Sequence, residues 1–242
     1  MWSCGAGVVY ASRLMEAIVL AGGFGTRLRQ VVADVPKPMA PIAGRPFLEV
    51  LLGSLARNGF RRVILSLGFM ADTIRGHFGR RFSGVDLTYV VEDQPLGTGG
   101  GVRLAMDQAT EDHLFVFNGD TFLDLEVEQV ERQWVMKRRP VIVGCEVSDT
   151  ARYGRLLVVA GVAKGFTEKG VGGAGLINAG CYVLNRGQLD VFPPGKPFSL
   201  EVEFLTSALM RGEFDVFVSA RQFIDIGVPE DFFRAQTQLA GY

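Results

Sequence analysis

The chain has 242 residues, of which 48% are hydrophobic and 21% are charged, and this is enough to bury a sizeable core in one domain. Its 25 Lys and Arg residues nearly balance its 26 Asp and Glu residues, so the net charge does not indicate a protein that binds nucleic acid or acidic membranes. No apolar run reaches the roughly 20 residues that cross a bilayer, so we expect no membrane contact.

The beginning of the chain and the cysteines both favour a reducing compartment. Residues 1–15 lack the charged region and the long apolar region of a signal peptide, so we expect a disordered leader, with Met15 as an alternative start. Cys4, Cys145 and Cys181 form neither a CxxC pair nor a zinc-type cluster. The sequence therefore predicts a cytoplasmic protein in which Cys145 and Cys181 are apolar strand residues.

Alternating apolar runs and helical patterns predict an α/β fold, a mostly parallel mixed sheet flanked by helices. The predicted elements up to residue 149 are strands at 17–20, 62–67, 87–91, 114–117 and 141–146, and helices at 46–58, 72–78, 100–108 and 127–138. The elements after residue 149 are strands at 155–159, 164–167, 177–184, 216–218 and 223–226, and helices at 199–210 and 229–239. Some of these strands are predicted to form a smaller β annex. We expect one domain over residues 16–242.

Glycines and charged residues cluster after several predicted strands, at the edge where ligands bind open α/β sheets. After the first strand, glycines let backbone N–H groups approach an anion, and an arginine adds a bidentate phosphate donor. The residues of this segment are Leu20, Gly22, Gly23, Gly25, Thr26 and Arg27. The segment matches neither the Walker A loop nor the dinucleotide spacing G-x-G-x-x-G.

Two further segments offer a cation and a carboxylate that could read a base. Prolines on both sides make the backbone that carries Lys37 stiff and extended, so its charge is presented at little entropic cost. Glu92 follows a predicted strand, and one carboxylate can accept both the N1–H and the N2–H of guanine. A base could pack against the backbone at Gly97 and Thr98. Taken alone, each segment is also compatible with an ordinary charged loop.

Two aspartates are candidate magnesium ligands. Asp120 stands in a turn at a strand end, and Asp225 stands inside an apolar strand, where a lone carboxylate is costly without a partner. Mg²⁺ prefers hard oxygen ligands, usually one or two carboxylates together with substrate phosphates. The alternatives are an ordinary turn aspartate and a hydrogen-bonded structural carboxylate.

The annex and the histidines offer weaker candidates for functional residues. Lys169 could bind a second phosphate, and Glu168 and Asn178 could hold sugar hydroxyls, although each alone is more often a structural residue. His77 and His113 are the only histidines, and neither belongs to a Ser-His-Asp or Cys-His arrangement. Hydrolysis by an activated nucleophile is therefore not supported.

Taken in order, these segments resemble the motifs of the sugar-1-phosphate nucleotidyltransferase family, over about residues 16–234. The resemblance is carried by the glycine-rich loop 22–27, the turn around Lys37, Gly119-Asp120, Glu168-Lys169 and Asp225. Residues 95–100 and the short length most resemble the guanylyltransferases that act on D-glycero-α-D-manno-heptose 1-phosphate. Relatives that make GDP-mannose are the next most similar. Lys169 is followed by glycine where many relatives have proline, which bears on the position of that loop.

The resemblance implies the Rossmann-like nucleotide-diphospho-sugar transferase fold, with residues 16–149 binding mainly the nucleotide and 150–242 mainly the sugar. It implies that GTP and the heptose 1-phosphate give GDP-heptose and pyrophosphate, with Mg²⁺ as cofactor, for bacterial surface polysaccharide synthesis. UTP, dTTP, CTP and mannose 1-phosphate stay open as substrates, and so does a homo-oligomer. The implied residue roles are catalysis by Arg27, Lys37 and Lys169, metal binding by Asp120 and Asp225, nucleotide binding by Leu20, Gly22, Gly23, Gly25, Thr26, Glu92, Gly97 and Thr98, and sugar binding by Gly154, Glu168 and Asn178.

Two alternatives come from other classes of protein. A catalytically inactive nucleotide-sugar sensor has no chemical need for the complete set of cations and aspartates described above. A glycosyltransferase usually carries an Asp-x-Asp metal motif after a strand, and the sequence Asp120-Thr121-Phe122 lacks it. Release of pyrophosphate distinguishes a nucleotidyltransferase from both.

Overall fold

Strands and helices follow one another along the chain. The structure is a computed structural model that describes residues 15–23, 28, 32 and 35–242. The strands are β1 (Glu16–Leu20), β2 (Pro41–Ile42), β3 (Arg45–Pro46), β4 (Arg62–Leu67), β5 (Arg81–Phe82), β6 (Val85–Val91), β7 (His113–Asn118), β8 (Thr121–Leu123), β9 (Val141–Val147), β10 (Leu156–Val159), β11 (Val162–Phe166), β12 (Gly175–Asn185), β13 (Asp215–Ser219) and β14 (Phe223–Asp225). The α-helices are α1 (Phe47–Arg57), α2 (Ala71–Phe78), α3 (Gly97–Met106), α4 (Val127–Lys137), α5 (Thr206–Met210) and α6 (Pro229–Gln238). The predicted leader, apart from Met15, lies outside the described residues.

A ten-stranded mixed sheet forms the centre of the fold, in the order β10-β11-β13-β9-β12-β7-β1-β4-β6-β5. β5, β11 and β12 run against the direction of the other strands, so the predicted mostly parallel α/β sheet is confirmed. The strands of the predicted annex, β10 to β12, continue this sheet and do not form a separate one. β14 pairs with β8 in a small ribbon apart from the main sheet.

Both faces of the sheet are covered by apolar side chains. Along β1, Ala17 and Val19 contribute to one buried cluster and Ile18 contributes to the other, as the alternation of a strand requires. Cys145 and Cys181 are buried in strands, as predicted. Within the described part of the chain, no helix has the length and apolar character needed to cross a membrane.

Helix boundaries follow the expected signals, with three differences. α3 begins at Gly97, three residues before the predicted start at 100, and ends at Met106, two residues before the predicted end. Pro46 is the N-cap residue of α1 and pairs in β3, whereas the sequence predicts it as the first helical residue. The predicted helix 199–210 is a π-helix, Leu200–Leu205, followed by α5. Ser199 is the N-cap residue of this π-helix, because its hydroxyl accepts a hydrogen bond from Val202 N–H at 3.2 Å.

Candidate active site

A cleft opens where parallel strands end at one edge of the sheet. The register pairs Leu20 of β1 with Ser66 of β4 on one side and with Asn118 of β7 on the other. The three residues therefore stand side by side, at the edge where open α/β sheets bind ligands. The cleft measures about 300 Å³ and is lined by Leu20, Ala21, Gly22, Gly23, Lys37, Pro38, Ser66, Glu92, Pro95, Gly97, Thr98, Asn118, Gly119 and Asp120.

Two glycines of this edge are required by packing of the protein itself. The N–H of Gly119 donates to the Leu20 carbonyl at 2.9 Å, and a Cβ at Gly119 would overlap that carbonyl oxygen. A Cβ at Gly22 would lie 3.0 Å from Gly68 N, which is tighter than ordinary contact. By contrast, a Cβ at Gly23 would meet none of the residues that the structure describes within 4 Å. Among these three glycines, Gly23 is the one whose Cβ position stays clear of the described part of the chain, so a ligand could approach its backbone.

Lys37 lies in a 3₁₀-helix, Lys37–Met39, rather than in the extended segment that the flanking prolines predict. Its side chain is only 10% exposed, and its Nζ forms an ion pair with Asp120 Oδ2. Pro38 and Met39 are buried and fix this turn against the core. The predicted stiff mount for Lys37 is thus present, with a different backbone shape.

The ribbon of β8 and β14 brings the two predicted metal aspartates together. Asp225 pairs with Thr121, and Ile226 N–H donates to the Asp120 carbonyl at 2.9 Å, so both carboxylates lie at the same end of the ribbon. Burial raises the pKa of Asp225, and the negative charge of Asp120 raises it further, against the opposing hydrogen bond from Gly227 N–H and the charge of Lys37.

This donor set fits a hard divalent cation. Two neighbouring carboxylates in a partly buried site repel each other, and a divalent cation that they hold would offset the repulsion that Lys37 leaves. The described residues contain no group of three or more His, Cys, Asp or Glu side chains with metal-site geometry. Asp120 and Asp225 therefore suit a cation that takes its remaining ligands from phosphates and water.

Glu92 lies in the wall of the cleft, and part of its carboxylate is already used. Oε2 accepts the Leu96 N–H at 2.8 Å, and Oε1 lies 3.5 Å from the Ser66 hydroxyl. Burial raises the pKa of Glu92, although these two hydrogen bonds oppose the rise. The carboxylate thus closes the turn before α3 and also borders the cleft, so it retains lone pairs that a ligand could use.

The glycines that open α3 are needed for contact with the segment around Phe198. Gly97 has φ +70°, and a Cβ there would lie 2.7 Å from the Phe198 carbonyl oxygen. The N–H groups of Gly99 and Gly100 donate to the same oxygen, at 3.0 and 3.3 Å. These two N–H groups are therefore occupied by protein, and the cleft wall is formed by Gly97 and Thr98 at the very start of the helix.

Thr98 connects the cleft to the π-helix. Its hydroxyl donates to Glu201 Oε2 at 2.7 Å and accepts the Leu200 N–H at 2.9 Å. The sequence singles out Thr98 but not Glu201, whose position depends on the π-helix. π-Helical turns are rare and often occur at functional sites, which makes Glu201 a candidate that sequence reasoning missed.

The predicted sugar residues do not line this cleft. Gly154 has φ +76° and packs against the Thr167 carbonyl oxygen. The Asn178 amide is used inside β12, where it donates to the Tyr182 hydroxyl at 2.7 Å and accepts Gly180 N–H at 3.0 Å. This arrangement supports the structural interpretation of Asn178 that the sequence left open.

Glu168 and Lys169 lie on an exposed turn that is tied to the turn carrying Gly154. Gly170 N–H donates to the Ala151 carbonyl at 2.8 Å, and Thr150 N–H donates to the Gly173 carbonyl at 3.0 Å. The turn that carries Gly154 also carries Arg152, which contacts Asp225. The turn of Lys169 is thus hydrogen-bonded to the turn whose Arg152 contacts Asp225.

Three predicted residues, Gly25, Thr26 and Arg27, lie outside the described residues. Of the residues that the sequence did not single out, Ser66 and Asn118 border the cleft. Asn118 Oδ1 is buried without a hydrogen-bond partner in the described part of the chain. The signal available for Ser66 was a serine that interrupts the apolar run 63–67 near the end of β4. Asn118 belongs to the Asn-Gly-Asp turn.

Comparison with known proteins agrees with this site. Residues 16–241 match the family model described as nucleotidyl transferase. The chain is 37% identical over 229 residues to a D-glycero-alpha-D-manno-heptose 1-phosphate guanylyltransferase of Aneurinibacillus thermoaerophilus, covering 94% of this chain and 100% of that one. It is 36% identical over 243 residues to a mannose-1-phosphate guanylyltransferase of Mycobacterium tuberculosis, covering 95% of this chain and 66% of that one.

A solved structure is similar over the same region. HddC from Yersinia pseudotuberculosis, complexed with GMP-PN, is 37% identical and superposes with a TM-score of 0.83, covering 93% of this chain and 99% of that one. The predicted fold and the family resemblance are both confirmed. The chain therefore belongs to the nucleotidyl transferase family.

Proposed function

We propose that the protein condenses GTP with D-glycero-α-D-manno-heptose 1-phosphate, forming GDP-heptose and pyrophosphate. The observation that carries this proposal is the cleft at the ends of β1, β4 and β7, which joins a glycine-lined wall to Lys37 and Asp120. Asp225 lies directly beside Asp120. The similarity to a heptose 1-phosphate guanylyltransferase over the whole length of that relative supports the choice of substrates.

In this proposal, Asp120 and Asp225 hold Mg²⁺. Their donor set suits this cation, which usually takes one or two protein carboxylates together with substrate phosphates. Once bound, Mg²⁺ supplies positive charge to the phosphates of the nucleotide. The ion pair with Asp120 keeps the Lys37 ammonium beside the proposed metal aspartates. There it neutralises the charge that develops on the α-phosphate.

The chemical step needs positioning more than proton transfer. An oxygen of the sugar 1-phosphate attacks the α-phosphorus, the bond from that phosphorus to the bridging oxygen breaks, and pyrophosphate leaves with the electron pair. The attacking phosphate is ionised near neutral pH, so no general base is required. Arg27 holds the departing phosphates, and Lys169 offsets the repulsion between the two anionic substrates.

Guanine is read by Glu92 in this proposal. A half-buried carboxylate in the cleft wall can accept N1–H and N2–H of guanine, whereas uracil, thymine and cytosine do not offer this pair of donors. The Leu96 N–H and the Ser66 hydroxyl fix the orientation of the Glu92 side chain. The complex of HddC with GMP-PN supports a guanine nucleotide.

The second candidate sugar substrate is mannose 1-phosphate. It is favoured by the 36% identity to a mannose-1-phosphate guanylyltransferase, of which this chain spans 66%. The two candidates share the same transfer reaction and the same nucleotide. They differ only in the sugar, so an assay with both substrates separates them.

The test is pyrophosphate release with Mg²⁺, in which GTP, UTP, dTTP and CTP are each paired with the heptose, mannose and glucose 1-phosphates. We expect GTP with the heptose 1-phosphate to give the highest kcat/KM. A higher value for mannose 1-phosphate would reassign the sugar, and a higher value for another nucleotide would reassign the base. Nucleotide binding without pyrophosphate release from any pair would support the sensor instead.

A further inference from the structure

Arg152 contacts one of the two proposed metal aspartates. Its Nη1 forms an ion pair with Asp231, and its Nη2 lies 3.4 Å from Asp225 Oδ2. The sequence gives no signal for this contact, since Arg152 lies in a turn far from both aspartates along the chain. The mechanism proposed above does not use Arg152.

The two oxygens of Asp225 have different partners. Oδ1 accepts the Gly227 N–H at 2.6 Å, whereas Oδ2 lies next to Arg152. A cation that binds Asp225 through Oδ2 must share this oxygen with the guanidinium. Asp120 is arranged in the same way, because its Oδ2 is paired with Lys37.

The guanidinium is held in place from two sides. Asp231, in the first turn of α6, is 4% exposed and also pairs with Arg234 at 2.9 Å. The Arg152 guanidinium lies 5.0 Å from the centre of the Tyr153 ring. The hydrogen bonds between turns 150–154 and 170–173 fix the backbone that carries it. Arg152 is therefore a positioned charge rather than a free surface side chain.

We propose that Arg152 competes with the divalent cation for Asp225 Oδ2, so that the cation binds firmly only together with the nucleotide. This inference rests on the proposed function, because it takes Asp225 as a metal ligand. The three carboxylates at this place are balanced by cations, namely Asp120, Asp225 and Asp231 by Lys37, Arg152 and Arg234.

A site in which the positive and negative side chains balance binds a free divalent cation weakly, because each carboxylate already has a positive partner. The phosphates of a nucleotide bring additional negative charge and additional oxygen ligands. The nucleotide therefore changes the balance in favour of the cation. Arg152 acts as a positioning residue in this scheme, since it determines when Asp225 becomes available.

The test measures Mn²⁺ binding to the nucleotide-free protein by titration calorimetry, which does not depend on turnover. Arg152→Gln removes the competing charge, and we expect Mn²⁺ to bind about tenfold tighter, the scale of one nearby charge in a partly solvated site. Arg152→Lys keeps the charge and should stay near the unmodified protein. The matched control is Arg234→Gln, which removes a charge from Asp231 but does not contact Asp225.

Equal Mn²⁺ affinity in Arg152→Gln and the unmodified protein would overturn the proposal. Equal tightening in Arg234→Gln would also overturn it, because the effect would then be one of net charge alone. Adding Asp225→Asn to Arg152→Gln should abolish the gain, and a retained gain would show that Asp225 is not the contested ligand. Absence of pyrophosphate release, with these binding differences intact, would count against the proposed function alone.

Discussion

Asp225 pairs with Thr121 across the ribbon of β14 and β8, and this register places the Asp225 carboxylate beside that of Asp120. Backbone pairing, rather than side-chain packing, determines where the two carboxylates stand. An amide in place of either carboxylate keeps nearly the same shape, removes the negative charge and replaces one acceptor oxygen with an NH₂ donor. Substitutions at these positions therefore test chemistry without rebuilding the ribbon.

We expect Asp120→Asn and Asp225→Asn each to lower turnover by roughly 10²-fold or more, the usual scale for loss of a preorganised electrostatic group. The measurement is the rate of pyrophosphate release at saturating Mg²⁺. Asp124→Asn is the matched control, because Asp124 follows the same ribbon but pairs with Arg221 at 3.3 Å on the surface. Turnover retained in Asp225→Asn would remove that residue from the proposed metal site.

For Glu92→Gln we expect weaker selection of guanine, with the fold kept because the amide oxygen can still accept the Leu96 N–H. The sharpest readout is the ratio of kcat/KM for GTP and for inosine triphosphate, which lacks the N2 amino group. This ratio should fall by about tenfold or more, since a buried polar group left without its partner is costly. An unchanged ratio would place the recognition of the N2 amino group elsewhere in the cleft.

The same residue gives a prediction for pH. Burial raises the pKa of Glu92 above its ordinary value of 4.5, and only the ionised form accepts both guanine donors. The preference for GTP over inosine triphosphate should therefore decline as the pH falls, and the decline should begin at a higher pH than for an ordinary glutamate. In Glu92→Gln the preference should not change with pH over this range. A decline of equal size in both proteins would assign the effect to another group.

Much of the fold could be predicted because it depends on local patterns. The bounds of β4 coincide with the prediction, and those of α6 differ by one residue. The neighbouring positions of Leu20 and Asn118 at one sheet edge follow from parallel pairing of their strands. These features need only hydrophobic periodicity, caps and the rule for ligand sites in open sheets.

The remaining features depend on long-range contacts that have no local signal. The π-helix that carries Glu201 has the same apolar pattern as an α-helix. The sequence assigns no separate role to the glycines at 99–101, and in the structure they accommodate Phe198, Lys196 and Glu92. The contact of Arg152 with Asp225 joins residues that are 73 positions apart. Such pairings appear only once the whole chain is folded.

Two glycine substitutions separate packing from ligand contact. Gly119→Ala should destabilise the protein by about 2 kcal/mol or more, because its Cβ would overlap the Leu20 carbonyl oxygen. Gly23→Ala should leave the melting temperature unchanged, since its Cβ would meet no atom of the described residues within 4 Å. If nucleotide phosphates approach this backbone, Gly23→Ala should instead raise the KM for GTP. Unchanged KM would leave Gly23 without a role in binding.

The last prediction concerns Glu16, which is 2% exposed at the start of β1. It accepts the N–H groups of Thr110 and Glu111 at 2.8 and 2.9 Å and pairs with Arg62. Burial alone would raise the pKa of Glu16, but these hydrogen bonds outweigh it and hold the pKa below 4.5. Because the folded-state pKa is lowered, this stabilisation is present above pH 4.5 and is lost as the pH falls through the lowered pKa.

Glu16→Gln should therefore lower the free energy of unfolding at neutral pH by about 3 kcal/mol, the scale of weakened charged hydrogen bonds in a buried site. The difference from the unmodified protein should shrink as the pH is lowered below 4.5, because the native carboxyl then becomes protonated as well. Asp86→Asn is the control: Asp86 pairs with Arg81 at 3.5 Å, and both side chains are 69% exposed. Such a surface pair contributes at most about 1 kcal/mol. Denaturant unfolding of the three proteins over a pH series makes the comparison, and a Glu16→Gln deficit that stays constant into acid would assign the loss to packing rather than to charge.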